Sequence, residues 1–111
     1  MGINPRKKGH AYERDVRDFF IKLGWTTCVT SRLESKRADD AGIDLCFTDP
    51  FNVQAKAVEN LGSVHAVLAR MPADNKFNVV FHKRNRQGTI VAMSQDDFER
   101  IISLLKKNNL V

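Results

Sequence analysis

Two short apolar runs in the middle of the chain carry polar side chains of the kinds that can assist phosphate chemistry. Asp44 lies in the first run, residues 43–48, and Gln54 and Lys56 lie in the second, residues 51–57. A carboxylate and an amide oxygen are hard ligands suited to Mg²⁺, and a nearby lysine can orient water or neutralise charge on a phosphate. These residue types together predict a metal-assisted hydrolytic site.

The hydrophobic pattern predicts that these polar residues share one face of a hairpin. Asp49-Pro50, a strong turn signal, separates the two runs. A three-residue turn pairs Phe47 with Phe51 and keeps the apolar side chains together, because alternate residues of a strand point to opposite faces. The same register places Asp44 beside Gln54. A one-residue slip would mix apolar and polar groups on both faces, so burial favours this pairing.

Glu13 can supply a second carboxylate from the first predicted helix. It stands beside Tyr12, at the edge of an apolar stripe with helical spacing, so it can face the sheet. Taken singly, each residue is better explained by an ordinary structural role: Asp44 as a turn or edge-strand aspartate, Lys56 as a solvated lysine and Glu13 as a helix-surface glutamate. The prediction of a site therefore depends on their occurring together.

The elements that must position these residues follow the order α-β-β-β-α-β-β-α. After a basic arm over residues 1–9, the predicted elements are a helix ending before Gly24, strands over 25–32, 43–48 and 51–57, a helix over 61–70, strands over 77–82 and 89–93, and a helix after Ser94. Residues 33–42 are expected to form a loop. The buried face of the last helix is expected to be Phe98, Ile101, Ile102 and Leu105. This pattern predicts a single α/β domain over residues 1–111, with a mixed central sheet flanked by helices.

The chain is basic, with 18 Lys and Arg against 13 Asp and Glu and a net charge of +5 over 111 residues. That balance favours a polyanion such as DNA or RNA, although a merely basic soluble surface gives the same balance. The candidate phosphate contacts are Arg6, Lys7 and Lys8 in the arm, Arg32, Lys36 and Arg37 near the polar loop, and Lys83, Arg84 and Arg86 at a predicted hairpin tip. Ordinary solvated charge explains each group equally well.

Cysteine usage and hydropathy indicate an intracellular protein. Cys28 and Cys46 have no metal-ligand spacing and fall in apolar runs, where free thiols behave as small hydrophobes. No apolar run approaches the roughly 20 residues that cross a bilayer. The basic start of the chain is followed by no hydrophobic stretch, so neither a secretory signal nor a membrane association is expected. We expect a cytoplasmic location.

The chain resembles the PD-(D/E)XK nuclease superfamily, and within it the small archaeal-type Holliday junction resolvases and their phage relatives. The resemblance covers roughly residues 6–58, about half of the chain. Its motifs are Gly9 with Glu13 and Arg14, Gly24-Trp25, Arg32, Gly42-Ile43-Asp44, and Gln54-Ala55-Lys56. The motif is short and degenerate, so its specificity comes from the order and context of these residues.

The resemblance implies a restriction-endonuclease-like fold and a Mg²⁺-dependent endodeoxyribonuclease, with Mn²⁺ as an alternative ion. Asp44 would be the central metal-binding aspartate, Lys56 the catalytic lysine, and Glu13 the helix glutamate that completes the acidic site. Arg14 and Arg32 would contact phosphate or support the site. Resolvases of this kind act as homodimers on branched four-way DNA junctions, in recombination and repair.

The chain departs from the family pattern at two positions. Ile43 stands where the family has a proline, and Gln54 stands at the acidic position two residues before the lysine. A neutral amide is a weaker metal ligand than a carboxylate, so Glu13 would carry more of the metal's charge. Three functions stay open: a junction-resolving endonuclease, a restriction- or repair-type nuclease on linear duplex DNA, and a catalytically silent DNA-binding module on the nuclease fold.

Overall fold

Helices and strands alternate along the chain in an α/β arrangement. The computed structural model describes residues 4–111. Its helices are α1 (Pro5–Lys22), α2 (Ser31–Glu34), α3 (Lys36–Asp40), α4 (Val64–Ala69) and α5 (Gln95–Lys107), and its strands are β1 (Val29–Thr30), β2 (Leu45–Cys46), β3 (Phe51–Lys56), β4 (Phe77–Arg84) and β5 (Gly88–Ala92). The order of the long helices and strands agrees with the sequence prediction, although the first predicted strand is reduced to two residues. None of the helices in residues 4–111 is long and apolar enough to cross a membrane.

The strands form a mixed three-stranded sheet, as predicted, but the first two strands form a separate sheet and do not join it. β3, β4 and β5 lie side by side, with β3 parallel to β4 and β5 antiparallel to β4. The parallel register places Lys56 opposite His82. β1 and β2 pair separately as a short antiparallel sheet, with Val29 opposite Cys46.

Helix α1 begins earlier than the sequence prediction allowed. The side chain of Asn4 accepts a hydrogen bond from the Arg6 N–H at 2.9 Å, and Pro5 occupies the first helical position, where its fixed φ suits a helix. The helix continues through Gly9. The predicted basic arm over residues 1–9 is therefore wrong from Pro5 onward, and residues 1–3 lie outside the described residues.

The three-stranded sheet is covered on both faces. On one face, Tyr12, Val16 and Phe20 recur every four residues along α1 and are buried with Phe81 of β4. On the other face, Val80 packs against α4. Burying a side chain of this size contributes roughly 1.5–3 kcal/mol to folding, so these contacts fix α1 and α4 against the sheet.

The ladder predicted between β2 and β3 does not form. β2 is limited to Leu45–Cys46, because Phe47 adopts a positive φ of 64° and leaves the extended conformation, with 54% of its surface exposed. The edge of β3 instead accepts one backbone hydrogen bond, from the Asp44 N–H to the Val53 carbonyl at 2.8 Å. Asp44 therefore still lies beside β3.

Two short helices, α2 and α3, replace most of the loop predicted over residues 33–42. The hydroxyl of Ser35 accepts a hydrogen bond from the Ala38 N–H at 3.2 Å and so caps α3. Gly42, with a φ of +80°, follows α3 in the left-handed conformation that glycine adopts without strain. Helices of four and five residues leave no periodic pattern in a sequence, which explains why they were missed.

Helix α5 is capped as predicted but is not buried as predicted. The Ser94 hydroxyl accepts a hydrogen bond from the Asp97 N–H at 3.0 Å. The Asp97 carboxylate in turn accepts from the Asn78 N–H at 3.1 Å, which ties the first turn to β4. No residue of α5 is fully buried, and Phe98 is 56% exposed. Of the predicted buried face, Ile101, Ile102 and Leu105 are half-buried, whereas Phe98 is exposed, so the prediction is wrong for Phe98 and holds in part for the other three.

Candidate functional site

The carboxylate of Asp44 lies against the edge of β3. Its Oδ2 accepts a hydrogen bond from the Ala55 N–H at 2.7 Å, while its own backbone N–H donates to Val53. Asp44 therefore contacts the residues on either side of Gln54. The Ser31 N–H also donates a hydrogen bond to the Asp44 carbonyl at 2.8 Å, which further fixes the backbone of Asp44.

Asp44 has an unusual protonation equilibrium. Burial raises the pKa of its carboxyl from 3.8 to about 6, and the hydrogen bond from Ala55 offsets part of that rise. The negative charge of Glu13 raises this pKa further, and the positive charge of Lys56 lowers it. Both groups therefore lie within electrostatic reach of Asp44. A bound cation would favour the ionised carboxylate that burial disfavours.

Glu13 projects from α1 and forms an ion pair with Arg32 of α2. The Arg32 Nε–H donates to Glu13 Oε2 at 3.2 Å. Only 13% of the Glu13 side chain is exposed, so its second oxygen is held in a fixed orientation. Arg32, predicted either to contact phosphate or to support the site, thus contacts Glu13.

Gln54 and Lys56 project from the face of β3 that is covered by α4. They line a cavity of about 230 Å³ together with Val67 of α4, with Arg70, which follows α4, and with the segment from Asp39 to Gly42. Gly42 stands close to the amide, since a Cβ there would lie 3.7 Å from Gln54 Oε1. The cavity thus presents an amide and two cations beside acidic residues of α3.

The four predicted site residues form two neighbouring pairs. Gln54 and Lys56 line the cavity, whereas Asp44 and Glu13 do not. The hydrogen bond from Ala55 to Asp44 joins the two pairs, because Ala55 stands between Gln54 and Lys56 in β3. Within residues 4–111, no three His, Cys, Asp or Glu side chains cluster as a metal site.

The chemistry of the donor set fits a hard divalent cation. Two carboxylates and one amide provide oxygen ligands of the kind that Mg²⁺ accepts, and such ions commonly retain several waters. The raised pKa of Asp44 indicates that the surrounding protein does not fully compensate its charge. Asp44 and Glu13 are the carboxylates that could hold such an ion, and Gln54 offers an amide oxygen from the neighbouring cavity.

Two residues near the site were missed by the sequence analysis. Arg70, the residue that follows α4, lines the cavity. Asp39 of α3 lies close enough to raise the pKa of Asp44. Neither residue has a motif or a spacing that marks it, because their positions depend on how α3 and α4 pack against β3.

The predicted DNA contacts are distributed over several elements. Arg6, Lys7, Lys8 and Arg14 lie on α1, Arg32 on α2, Lys36 and Arg37 on α3, Lys83 and Arg84 on β4, and Arg86 in the turn before β5. Three of these cations already have carboxylate partners: Arg32 with Glu13, Lys36 with Asp40 at 3.4 Å, and Arg84 with Glu59 at 3.9 Å. The other seven make no ion pair within residues 4–111.

The two cysteines are free thiols in the structure. Cys28 is buried in the main core, and burial raises the pKa of its thiol to about 11. A thiol with such a pKa stays protonated at neutral pH and is a poor nucleophile. Cys28 is therefore not a candidate nucleophile.

Comparison of the chain with protein-family models, curated proteins and solved structures gave no match. The interpretation of the site therefore depends on the side chains and contacts described above.

Proposed function

We propose that this protein is a Mg²⁺-dependent endodeoxyribonuclease with a restriction-endonuclease-like site, acting on branched four-way DNA. One observation carries the proposal. The buried carboxylate of Asp44 lies within reach of both a second carboxylate and a lysine, and its pKa is raised to about 6. Such a combination is typical of catalytic centres.

The protein's own residues would prepare the site for the metal. The Ala55 N–H donates a hydrogen bond to Oδ2 of Asp44, whereas Oδ1 accepts no hydrogen bond within residues 4–111. The Arg32 Nε–H likewise donates a hydrogen bond to Oε2 of Glu13. Contacts of this kind orient metal ligands and tune their basicity. When bound, Mg²⁺ would supply a water of lowered pKa and would neutralise charge on the scissile phosphate.

Lys56 would act directly on the reacting phosphate. Its ammonium group is a hydrogen-bond donor that can stabilise negative charge developing on a phosphate oxygen. The position of Lys56 in the cavity beside Gln54 leaves it accessible to such a group. Arg70 lines the same cavity and would add a second positive charge.

We propose further that the protein acts as a homodimer, with α5 as the contact surface. Phe98 and Leu104 are more than half exposed on this helix. The first turn of α5 is acidic and its last turn is basic, through Asp96 with Asp97 and Lys106 with Lys107. Two copies packed antiparallel about a two-fold axis would place opposite charges together, and two-fold symmetry suits paired cuts in a four-way junction.

A silent DNA-binding module is the second candidate. Gln54 provides an amide where the family has a carboxylate, and Asp44 lies outside the cavity that Gln54 lines. A weaker metal site would leave binding without cleavage. A nuclease acting on linear duplex DNA would share the proposed site and differ only in its substrate.

Cleavage of a labelled four-way junction and a matched linear duplex, with Mg²⁺ or with a chelator, tests these alternatives. We expect paired cuts in the junction alone, lost in Asp44→Asn. The matched control is Asp18→Asn, which changes an exposed aspartate in a surface ion pair with Arg17. Cutting of both substrates would indicate a general duplex nuclease. Tight binding without metal-dependent cutting would refute the enzyme and leave the binding module.

A further inference from the structure

A second cleft opens between α1 and the ends of β3 and β4. Its volume is about 440 Å³. Ala57, the residue after Lys56, lies in its wall. Adjacent residues of the chain therefore line the two sites, since Lys56 belongs to the first cavity.

The cleft concentrates positive charge that the described part of the protein does not neutralise. Lys7, Lys8 and Arg14 of α1 line it together with Lys83 of β4, against one carboxylate, that of Asp15. None of these four cations forms an ion pair within 4.0 Å of any carboxylate in residues 4–111. Cations gathered in a concave surface attract an anion more strongly than the same charges dispersed.

Tyr12, which lines the cleft, has a buried hydroxyl without a hydrogen-bond partner among the described residues. Only 5% of the Tyr12 surface is exposed. Burial raises the pKa of Tyr12, and Thr89 lies near enough to lower it in part, but the two hydroxyls do not meet hydrogen-bond geometry. Lys83 stands over the Tyr12 ring, with Nζ 5.9 Å from its centre. An unsatisfied buried hydroxyl destabilises a protein unless a ligand or water uses it.

We propose that this cleft binds a phosphate group of a nucleic-acid backbone, with the Tyr12 hydroxyl and the Lys83 ammonium as donors. A phosphate offers several acceptor oxygens and a negative charge, and the wall offers a hydroxyl donor and a net excess of cations. The volume exceeds that of a single phosphate and accommodates an adjoining sugar. The assignment to a backbone near the scissile bond rests on the proposed nuclease function, but binding at the cleft does not.

Binding in a chelator, where no cleavage occurs, tests the cleft separately. The affinity of the full-length protein for a short labelled duplex would be measured over a salt series for the wild type, Tyr12→Phe, Lys83→Gln and Lys22→Gln. Lys22 is an exposed lysine at the far end of α1 and controls for the loss of one charge. Inorganic phosphate would be titrated in parallel as the free anion. Thermal melting would verify that each variant folds.

We expect Tyr12→Phe to weaken duplex binding about tenfold, as for a hydrogen bond to a charged group, without lowering the melting temperature. Lys83→Gln should weaken binding and reduce the slope of log affinity against log salt by about one, and Lys22→Gln should do neither. Wild-type affinity in Tyr12→Phe, or equal losses in the two lysine variants, would overturn the proposal. Tighter binding of inorganic phosphate than of duplex would overturn the backbone assignment.

The same variants separate this inference from the nuclease proposal. If wild-type protein does not cleave with Mg²⁺ but Tyr12→Phe and Lys83→Gln lose duplex affinity, the cleft stands and the nuclease proposal fails. If wild-type protein cleaves and Tyr12→Phe binds and cleaves equally well, the nuclease proposal stands and the cleft is refuted.

Discussion

Arg32 and Glu13 join α2 to α1 through a single ion pair, with 3.2 Å between Nε and Oε2. The two side chains are 29% and 13% exposed, so both are largely withdrawn from solvent. Arg32 carries positive charge, as a phosphate contact would, but its guanidinium is committed to a carboxylate. Its effect on activity should therefore act through the orientation of Glu13.

The variant Arg32→Gln separates orientation of the site from contact with DNA. We expect a loss of roughly 10–100-fold in kcat, the range found when partners of metal ligands are removed, with little change in KM for DNA. Steady-state cleavage kinetics on the preferred substrate would measure both parameters.

Arg37→Gln is the matched control, because Arg37 lies on α3 without an ion-pair partner in residues 4–111. It should alter KM more than kcat if it contacts phosphate. An increase in KM for Arg32→Gln, with kcat preserved, would assign Arg32 to DNA contact and contradict the orienting role.

Asp44→Asn should stabilise the fold at the pH where it abolishes cleavage. The pKa of Asp44 is raised from 3.8 to about 6 by burial, so the folded protein favours the protonated form. Asparagine keeps an acceptor for the Ala55 N–H and carries no charge. At about 1.4 kcal/mol per unit of pKa, the variant should gain about 2–3 kcal/mol above pH 6. Melting in a chelator at pH 8 should show an increase of several degrees.

The pH dependence of this gain has a defined direction. A raised carboxyl pKa contributes stability to the wild type below pH 3.8, and that contribution is lost as the pH rises through about 6. The difference between wild type and Asp44→Asn should therefore vanish near pH 4. Asp18→Asn, at an exposed position, should change stability little at either pH. A wild type more stable than Asp44→Asn at pH 8 would show that Asp44 is compensated within the protein.

The sequence predicts the fold where long periodic patterns specify it. The stripe of Tyr12, Val16 and Phe20 predicts α1, and the serine at position 94 predicts the start of α5. The sequence does not predict which strands pair, because the parallel pairing of β3 with β4 joins segments separated by α4. The positive φ of Phe47, which ends β2, leaves no signature in the residue pattern either.

In the candidate site, too, local sequence patterns predict some features and tertiary packing determines the others. The alternation of Gln54 and Lys56 places them on one face, as the structure has them, since a strand alternates with a period of two. The ion pair of Glu13 with Arg32 and the approach of Arg70 depend on α2 and α4, whose packing no local pattern records. Local periodicity therefore specifies the face of a residue, and tertiary packing specifies its neighbours.

Gln54→Glu tests whether the amide limits metal binding. A third carboxylate would increase the negative charge of the donor set, so we expect Mg²⁺ to bind about tenfold more tightly, a change that corresponds to 1.4 kcal/mol. Calorimetric titration with Mg²⁺ would measure the affinity. Gln54→Ala should weaken binding. Unchanged affinity in both variants would show that Gln54 is not a ligand and would restrict the metal site to Asp44 and Glu13.

Phe98→Glu should dissociate the proposed dimer. The wild-type phenylalanine is 56% exposed on α5, and an antiparallel pair of these helices would bury it against the partner copy. A carboxylate placed in such an interface would be desolvated without a partner, which costs several kcal/mol and should shift the equilibrium to monomers. Sedimentation velocity over a concentration series would measure the change in mass.

Leu33→Glu is the control for this change, because Leu33 is 80% exposed and belongs to a different helix, α2. It replaces an exposed apolar residue by the same charged one and should leave the dimer intact. The charge pattern adds an independent test, since Lys106→Glu should weaken the dimer by opposing Asp96 or Asp97 of the second copy. Monomeric wild-type protein, or equal dissociation by Leu33→Glu, would contradict α5 as the contact surface.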